Sequence, residues 1–143
     1  MISRRLLRAY AATDYLIPSA DLSLMPYRHN PALVAWLRRQ GAQRVAILTA
    51  CNPRSHPLSK HENAKRNAAL AAELQAASLR HFDASGTAQR GNWPAESSFA
   101  ILDISLARLD ALGRRWGQNA ALVAGRDGRP RLRCFTAGIG SLG

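Results

Sequence analysis

Amides and a carboxylate gather in three short segments of this sequence. The first is Thr49-Ala50-Cys51-Asn52-Pro53, followed by Glu62-Asn63 and Arg66-Asn67. The second is Asn92-Trp93-Pro94-Ala95-Glu96. The third is Trp116-Gly117-Gln118-Asn119. Together Asn52, Asn63, Arg66, Asn67, Trp93, Glu96, Gln118 and Asn119 could hold a small polar or anionic ligand by hydrogen bonds. A helix start near Ser59 would add free backbone amides, which suit an anion.

Asn63, Asn67, Leu70, Leu74 and Ala77 recur at spacings of four and three, so they share one face of that helix. The face is amide at its start and apolar toward its end. A buried amide costs about 1–3 kcal/mol unless it is paired. Two readings stay open: Asn63 and Asn67 tie down the Pro-rich loop before the helix, or they bind a ligand.

Cys51 has His56 and His61 near it in sequence, a nucleophile's company. It is read instead as a small packed hydrophobe. The two histidines lack a third ligand, so neither a metal nor another cofactor is expected. Glu62 is explained by a capping box with Ser59. Glu96 has no such explanation, which makes it the candidate carboxylate for acid–base chemistry. Whether the chain is an enzyme is left undecided. No phosphate-binding glycine motif occurs.

The elements that would position these groups follow from local signals. Residues 12–18 form a short strand ended by Pro18, and 19–30 a loop. Asn30-Pro31 opens a helix as N-cap and first helical residue, and Gly41 stops it. Residues 44–49 are a buried strand. Ser59 caps a helix to about Ala77. Residues 79–83 are a strand, 84–95 a loop and 98–104 a strand. Ser105 caps a helix to about Trp116, ended by Gly117. Residues 120–124 and 131–135 form a hairpin about Asp127-Gly128, and 136–143 is a fraying tail.

From Arg44 the order is β-α-β-β-α-β plus a C-terminal hairpin strand. That is the order of a ferredoxin-like split βαβ sandwich, of α+β class, with an extra N-terminal helix. The alternative is a three-layer α/β fold with a partly parallel sheet. In the ferredoxin-like order the 49–58 and 117–119 loops have no evident common end, so their meeting rests on composition alone. The chain reads as a single domain, 1–143, with a lead-in over 1–43 and a core over 44–135. The basic start, free of acids before Asp14, resembles a transit peptide. Leu6, Leu7, Tyr10 and 15–17 favour a folded lead-in.

Twenty Lys and Arg oppose nine Asp and Glu among 143 residues, for a net charge of +11. Eighteen of the cations are Arg. Such a field attracts polyanions. Arg clusters at 4, 5 and 8, at 38, 39 and 44, and at 126, 129, 131 and 133 suit contacts to nucleic-acid backbones. Sheet aromatics that would stack bases are few: Phe82, Phe99 and Phe135. Two cysteines, Cys51 and Cys134, make no disulfide framework and fit a reducing cytoplasm. No apolar run approaches the roughly 18–20 residues that cross a membrane, and no membrane partner is expected.

The motif segments together resemble a bacterial family of unknown function, numbered 3293. Its pattern has a Thr-Ala-x-Asn-Pro loop, a Ser-x-x-Glu-Asn helix start, a Trp-Pro-x-Glu-Ser-Phe segment and a Gly-Gln-Asn-Ala segment. Here these are Thr49–Pro53, Ser59 with Glu62-Asn63, Trp93–Phe99 and Gly117–Ala120. The resemblance spans about 44–135. Cys51 stands where the pattern has Trp, Trp116 where it has Phe, and one extra residue lies between Glu96 and Phe99. The family carries no established activity. The resemblance implies that Asn52, Glu62, Asn63, Trp93, Glu96, Gln118 and Asn119 are pattern positions.

Three functions are expected to compete. One is binding of a small polar or anionic, nucleotide-like ligand at the Asn/Gln-rich loops. The second is sequence-nonspecific nucleic-acid or ribonucleoprotein accessory binding through Arg. The third is an enzyme using Glu96. The sequence leaves the oligomeric state open.

Overall fold

A computed structural model describes residues 3–88 and 95–135. The elements in order are α1 (Arg4–Ala11), β1 (Thr13–Ile17), β2 (Leu22–Leu24), α2 (Pro31–Arg39), β3 (Arg44–Leu48), α3 (Lys60–Ala76), β4 (His81–Ala88), β5 (Glu96–Leu102), α4 (Leu106–Arg115), β6 (Ala120–Gly125) and β7 (Arg131–Cys134). The strands form one seven-stranded sheet in the order β2-β1-β4-β5-β3-β6-β7. All six pairings are antiparallel. The class is α+β, and the partly parallel sheet of the alternative is overturned.

The helices begin where side chains can cap them. Ser3, Asn30, Ser59 and Ser105 each accept a backbone N–H from the first turn. The Ser59–Glu62 capping box forms in both directions. Helix α2 closes at Gly41, whose φ of +64° is a left-handed conformation that glycine adopts without a Cβ clash.

Strand β3 is apolar on both sides because both sides are covered. Val45 and Ile47 pack with Leu33, Trp36 and Leu37 of α2. Ala46 and Leu48 pack with Leu70, Leu74 and Leu109 of α3 and α4. Helix α2 therefore lies on the opposite face of the sheet from α3 and α4. Fully burying each such Leu or Ile stabilises by about 1.5–3 kcal/mol.

Several boundaries differ from expectation, among them β5, which starts at Glu96 and ends at Leu102 where the sequence predicts 98–104. The 19–30 loop contains β2, because Leu22 and Leu24 are buried against β1. Strand β4 runs on to Ala88, through residues expected in a loop. Ser85, Gly86 and Thr87 have weak strand propensity, but β4 is flanked by β1 from Ser85 to Ala88 and by β5 from His81 to Gly86, and tertiary pairing overrides propensity. On α3 the fully buried stripe is Asn67, Leu70 and Leu74, with Asn63 and Ala77 half-buried at its ends. The expected 136–143 tail lies outside the described residues. Among the described residues, no helix is long and apolar enough to cross a membrane.

Candidate functional site

The described residues of the three polar segments, with Ala95 and Glu96 standing for the second, meet at one end of the sheet. Strand β3 is antiparallel to both its neighbours, β5 and β6. The end of β3, the start of β5 and the start of β6 therefore lie side by side. The loop after β3, the Glu96 segment and the Gln118-Asn119 segment emerge together there.

The loop 49–58 is held from both sides. Asn52 N donates to Asn63 Oδ1 at 2.9 Å, and Asn63 Nδ2 donates to Asn52 Oδ1 at 2.8 Å. Asn52 Oδ1 also accepts the Leu58 N–H at 2.9 Å. Asn67, 8% exposed, accepts Ala50 N at 2.9 Å and donates to Ser97 O at 3.0 Å. Arg66 donates from Nε to Ala50 O and from Nη2 to Trp116 O, both at 2.6 Å. Its guanidinium lies 5.1 Å from the Trp116 ring centre, in cation–π range. Gln118 donates to Cys51 O at 3.0 Å. Arg54 N donates to Gly117 O at 2.6 Å.

These bonds use most of the amides' capacity. In the described structure Asn63, Arg66, Asn67 and Gln118 fasten the loop to α3 and to the 116–118 turn. The bonds also hold a costly backbone. Asn52, Arg54 and Ser55 have φ of 46°, 52° and 62°, left-handed values that side-chain-bearing residues seldom adopt. Each such residue costs on the order of 1–3 kcal/mol and persists only where its surroundings fix it.

Glu96 and Asn119 are the two members whose side chains make no hydrogen bond to the loop's backbone among the described residues. Asn52 Nδ2 donates to Glu96 Oε2 at 3.0 Å. Among the described residues, Asn52 is the carboxylate's only hydrogen-bond partner. Burial pushes the Glu96 carboxyl above its ordinary pKa, and the Asn52 bond only partly opposes this. Glu96 sits opposite Gly86, which in turn sits opposite Tyr15. Burial also raises the Tyr15 phenol, with Tyr10 and Glu96 adding to the effect. Two residues along β5, the Ser98 hydroxyl is buried without a partner among the described residues. Asn119, 8% exposed, donates to Tyr10 OH at 3.2 Å and to Ser55 Oγ at 3.3 Å.

Of the expected site residues, Trp93 lies outside the described residues. The other seven come together. The sequence reading missed Tyr10, Tyr15 and Ser55. Tyr10 and Tyr15 sit in the lead-in, far from the motifs in sequence; the β1–β4 pairing brings Tyr15 near Glu96, and α1 carries Tyr10 to Ser55 and Asn119. Cys51 is buried, and burial raises its thiol pKa, which disfavours a thiolate. His56 and His61 are exposed. The start of α3 already has the Glu62 carboxylate at its amides, which weakens it as an anion site.

The site and its frame are those of a small α+β domain with a polar, amide-fastened sheet end. The model of a family described as protein of unknown function (DUF3293) matches residues 48–121. That is more than half of the chain, and the chain belongs to this family. The matched stretch starts at the end of β3 and stops at the start of β6, so it contains all three polar segments. No curated protein matches, and no solved structure matches.

Proposed function

We propose that this domain binds a small polar, anionic ligand of nucleotide type at the sheet end that Asn52, Glu96 and Asn119 share. The observation that carries the reading is the Glu96 carboxylate: half-buried, raised in pKa, and aimed by one amide that is itself fixed by Asn63 and Leu58. A carboxylate kept from water with one partner has acceptor capacity to spare, which a base amino or imino group could use. The Ser98 hydroxyl, buried on the same strand without a partner among the described residues, adds to that capacity. Exposed Arg4, Arg5, Arg8 and Arg54 belong to the elements at this end and would meet a phosphate. Asn63, Arg66, Asn67 and Gln118 serve by holding the loop.

The core that carries the site is read as a ferredoxin-like split βαβ sandwich. Supporting this are the order β4-β5-β3-β6 and the placement of α3 and α4 on one face. The two cysteines are free, which fits a bacterial cytoplasm.

A second reading is sequence-independent nucleic-acid binding. It is favoured by exposed Arg38 and Arg39 at the end of α2, which join Arg4, Arg5, Arg8 and Arg54 as surface cations. Calorimetric titration separates the two. Nucleoside monophosphates and a mixed single-stranded oligonucleotide are titrated into wild type and Glu96→Gln at several salt concentrations. Nucleotide binding that Glu96→Gln weakens about tenfold supports the ligand reading. Oligonucleotide binding that ignores Glu96→Gln and falls steeply with salt, with a slope of several charges, supports the second. Absence of both defeats both.

A further inference from the structure

We infer that Ser55 and Asn119 form a two-donor cradle for a ligand oxygen, and that the Tyr10 hydroxyl of α1 occupies it as a built-in substitute. The inference rests on the ligand reading above and names the contact that reading lacks.

Three observations converge. First, Tyr10 OH lies 2.9 Å from Ser55 Oγ and 3.2 Å from Asn119 Nδ2, so one foreign oxygen sits between two groups of the site. A hydroxyl or phosphate oxygen of a ligand has the same acceptor chemistry as the phenol oxygen. Second, Ser55 is held at a φ of 62° in a turn with Asn52 and Arg54 also left-handed. That costly backbone is fixed by Arg54 N to Gly117 O and by Ser55 N to Asn52 O at 2.8 Å. It points the Ser55 hydroxyl toward Asn119, 3.3 Å away. Third, α1 is a removable cover. It has eight residues and none of them is fully buried. The bonds from Tyr10 are its side-chain hydrogen bonds to the site. Elements with few buried apolar contacts open at low cost.

The consequences are chemical. The covered state keeps Asn119 paired and out of water, which avoids leaving a buried amide unsatisfied. A ligand oxygen entering the cradle displaces the phenol, and α1 swings about Ala12, the residue between α1 and β1. Arg4, Arg5 and Arg8 ride on α1, so the same segment that blocks the cradle carries cations toward an anionic ligand. Helix α1 lies outside the matched residues 48–121. The cradle is therefore part of the family stretch, and its occupant is not.

The test compares wild type, Tyr10→Phe and Asn119→Ala by titration with adenosine and guanosine 5′-monophosphate, and by amide hydrogen exchange. Tyr10→Phe keeps the ring and removes the competing oxygen. It should bind the nucleotide about tenfold more tightly, a gain of about 1.4 kcal/mol. Asn119→Ala should bind about tenfold more weakly. Exchange across α1 should quicken in Tyr10→Phe, and in wild type on adding nucleotide, with β3 and β5 unchanged. Tyr10→Phe binding equally or more weakly than wild type overturns the inference, because a purely structural tyrosine gives that result. If neither nucleotide binds any variant, the ligand reading of Glu96 fails on its own. Exchange then tests the cover alone: unchanged exchange across α1 in Tyr10→Phe overturns the inference.

Discussion

Asn52 and Asn63 hydrogen-bond to each other twice, backbone to side chain at 2.9 Å and side chain to side chain at 2.8 Å. The pair links a left-handed residue of the loop to the second turn of α3. It also fixes the Asn52 amide that meets Glu96. Removing Asn63 leaves the Asn52 N–H and one lone pair of its oxygen without partners.

Asn63→Ala is therefore expected to lower unfolding free energy by about 1–3 kcal/mol. Urea denaturation measures it. Asn63→Asp keeps the acceptor for Asn52 N–H but loses the donor, so it should fall between wild type and alanine. A loss below about 0.5 kcal/mol for alanine would mean that water replaces the pair at no cost.

Arg66 is a test of geometry over charge. Its guanidinium bridges the carbonyls of Ala50 and of Trp116, the latter 50 residues beyond Arg66 in the chain, and stacks over the indole. Lysine keeps the charge but cannot span both carbonyls from a planar fork. Arg66→Lys should cost about 1–2 kcal/mol by denaturant unfolding. It should also quicken amide exchange at Arg54, whose N–H bonds to Gly117 O. Wild-type stability in Arg66→Lys would show that charge alone suffices.

Much of this arrangement is legible in the residues. Asn30-Pro31, the Ser59–Glu62 box and Ser105 mark three helix starts, because capping is local chemistry. The alternation of amide and Leu on α3 marks a face that must pair its amides, and Asn67 does. What local pattern cannot carry is strand adjacency. That β3 lies between β5 and β6 decides that Asn52, Glu96 and Asn119 share an end, and no residue among them encodes it. The same holds for Tyr15: its phenol looks like an ordinary lead-in aromatic until β1 pairs with β4. Strand β4 beyond Asp83 is not legible in the sequence because Ser85-Gly86-Thr87 forms a strand only with partners alongside.

Gly117 couples the two loops through its conformation. Its φ is +70°, and an added Cβ would stand 3.0 Å from Pro53 Cβ. Alanine there meets the left-handed penalty of about 1 kcal/mol and a contact that needs Pro53 to give. Gly117→Ala should lower the melting temperature by several degrees and loosen the Arg54–Gly117 hydrogen bond. Gly41, also left-handed at φ +64° but with no atom within 4 Å of a Cβ, isolates the backbone part of the cost. Gly41→Ala should therefore destabilise less than Gly117→Ala, and equal losses would remove Pro53 from the account.

Glu96 should make the protein less stable as pH rises. Its carboxyl lies above the ordinary value of 4.5, first because it is buried, with the Asn52 bond opposing. The folded chain thus holds this proton more tightly than the unfolded chain. Between the unfolded value and the folded one, the folded state binds more protons, so stability declines as pH increases through that window. Glu96→Gln removes the charge and keeps a carbonyl oxygen for Asn52 Nδ2. At pH 7 it is expected to melt higher than wild type by about 2–4 °C for each kcal/mol released. As pH falls below the ordinary value of 4.5, where the carboxyl takes up its proton in both states, the two melting curves should converge. A variant that gains stability while losing nucleotide affinity would mark Glu96 as a residue kept at a stability cost for binding. A Gln variant less stable than wild type at pH 7, or a gap that persists at low pH, would instead make the carboxylate a structural partner of Asn52.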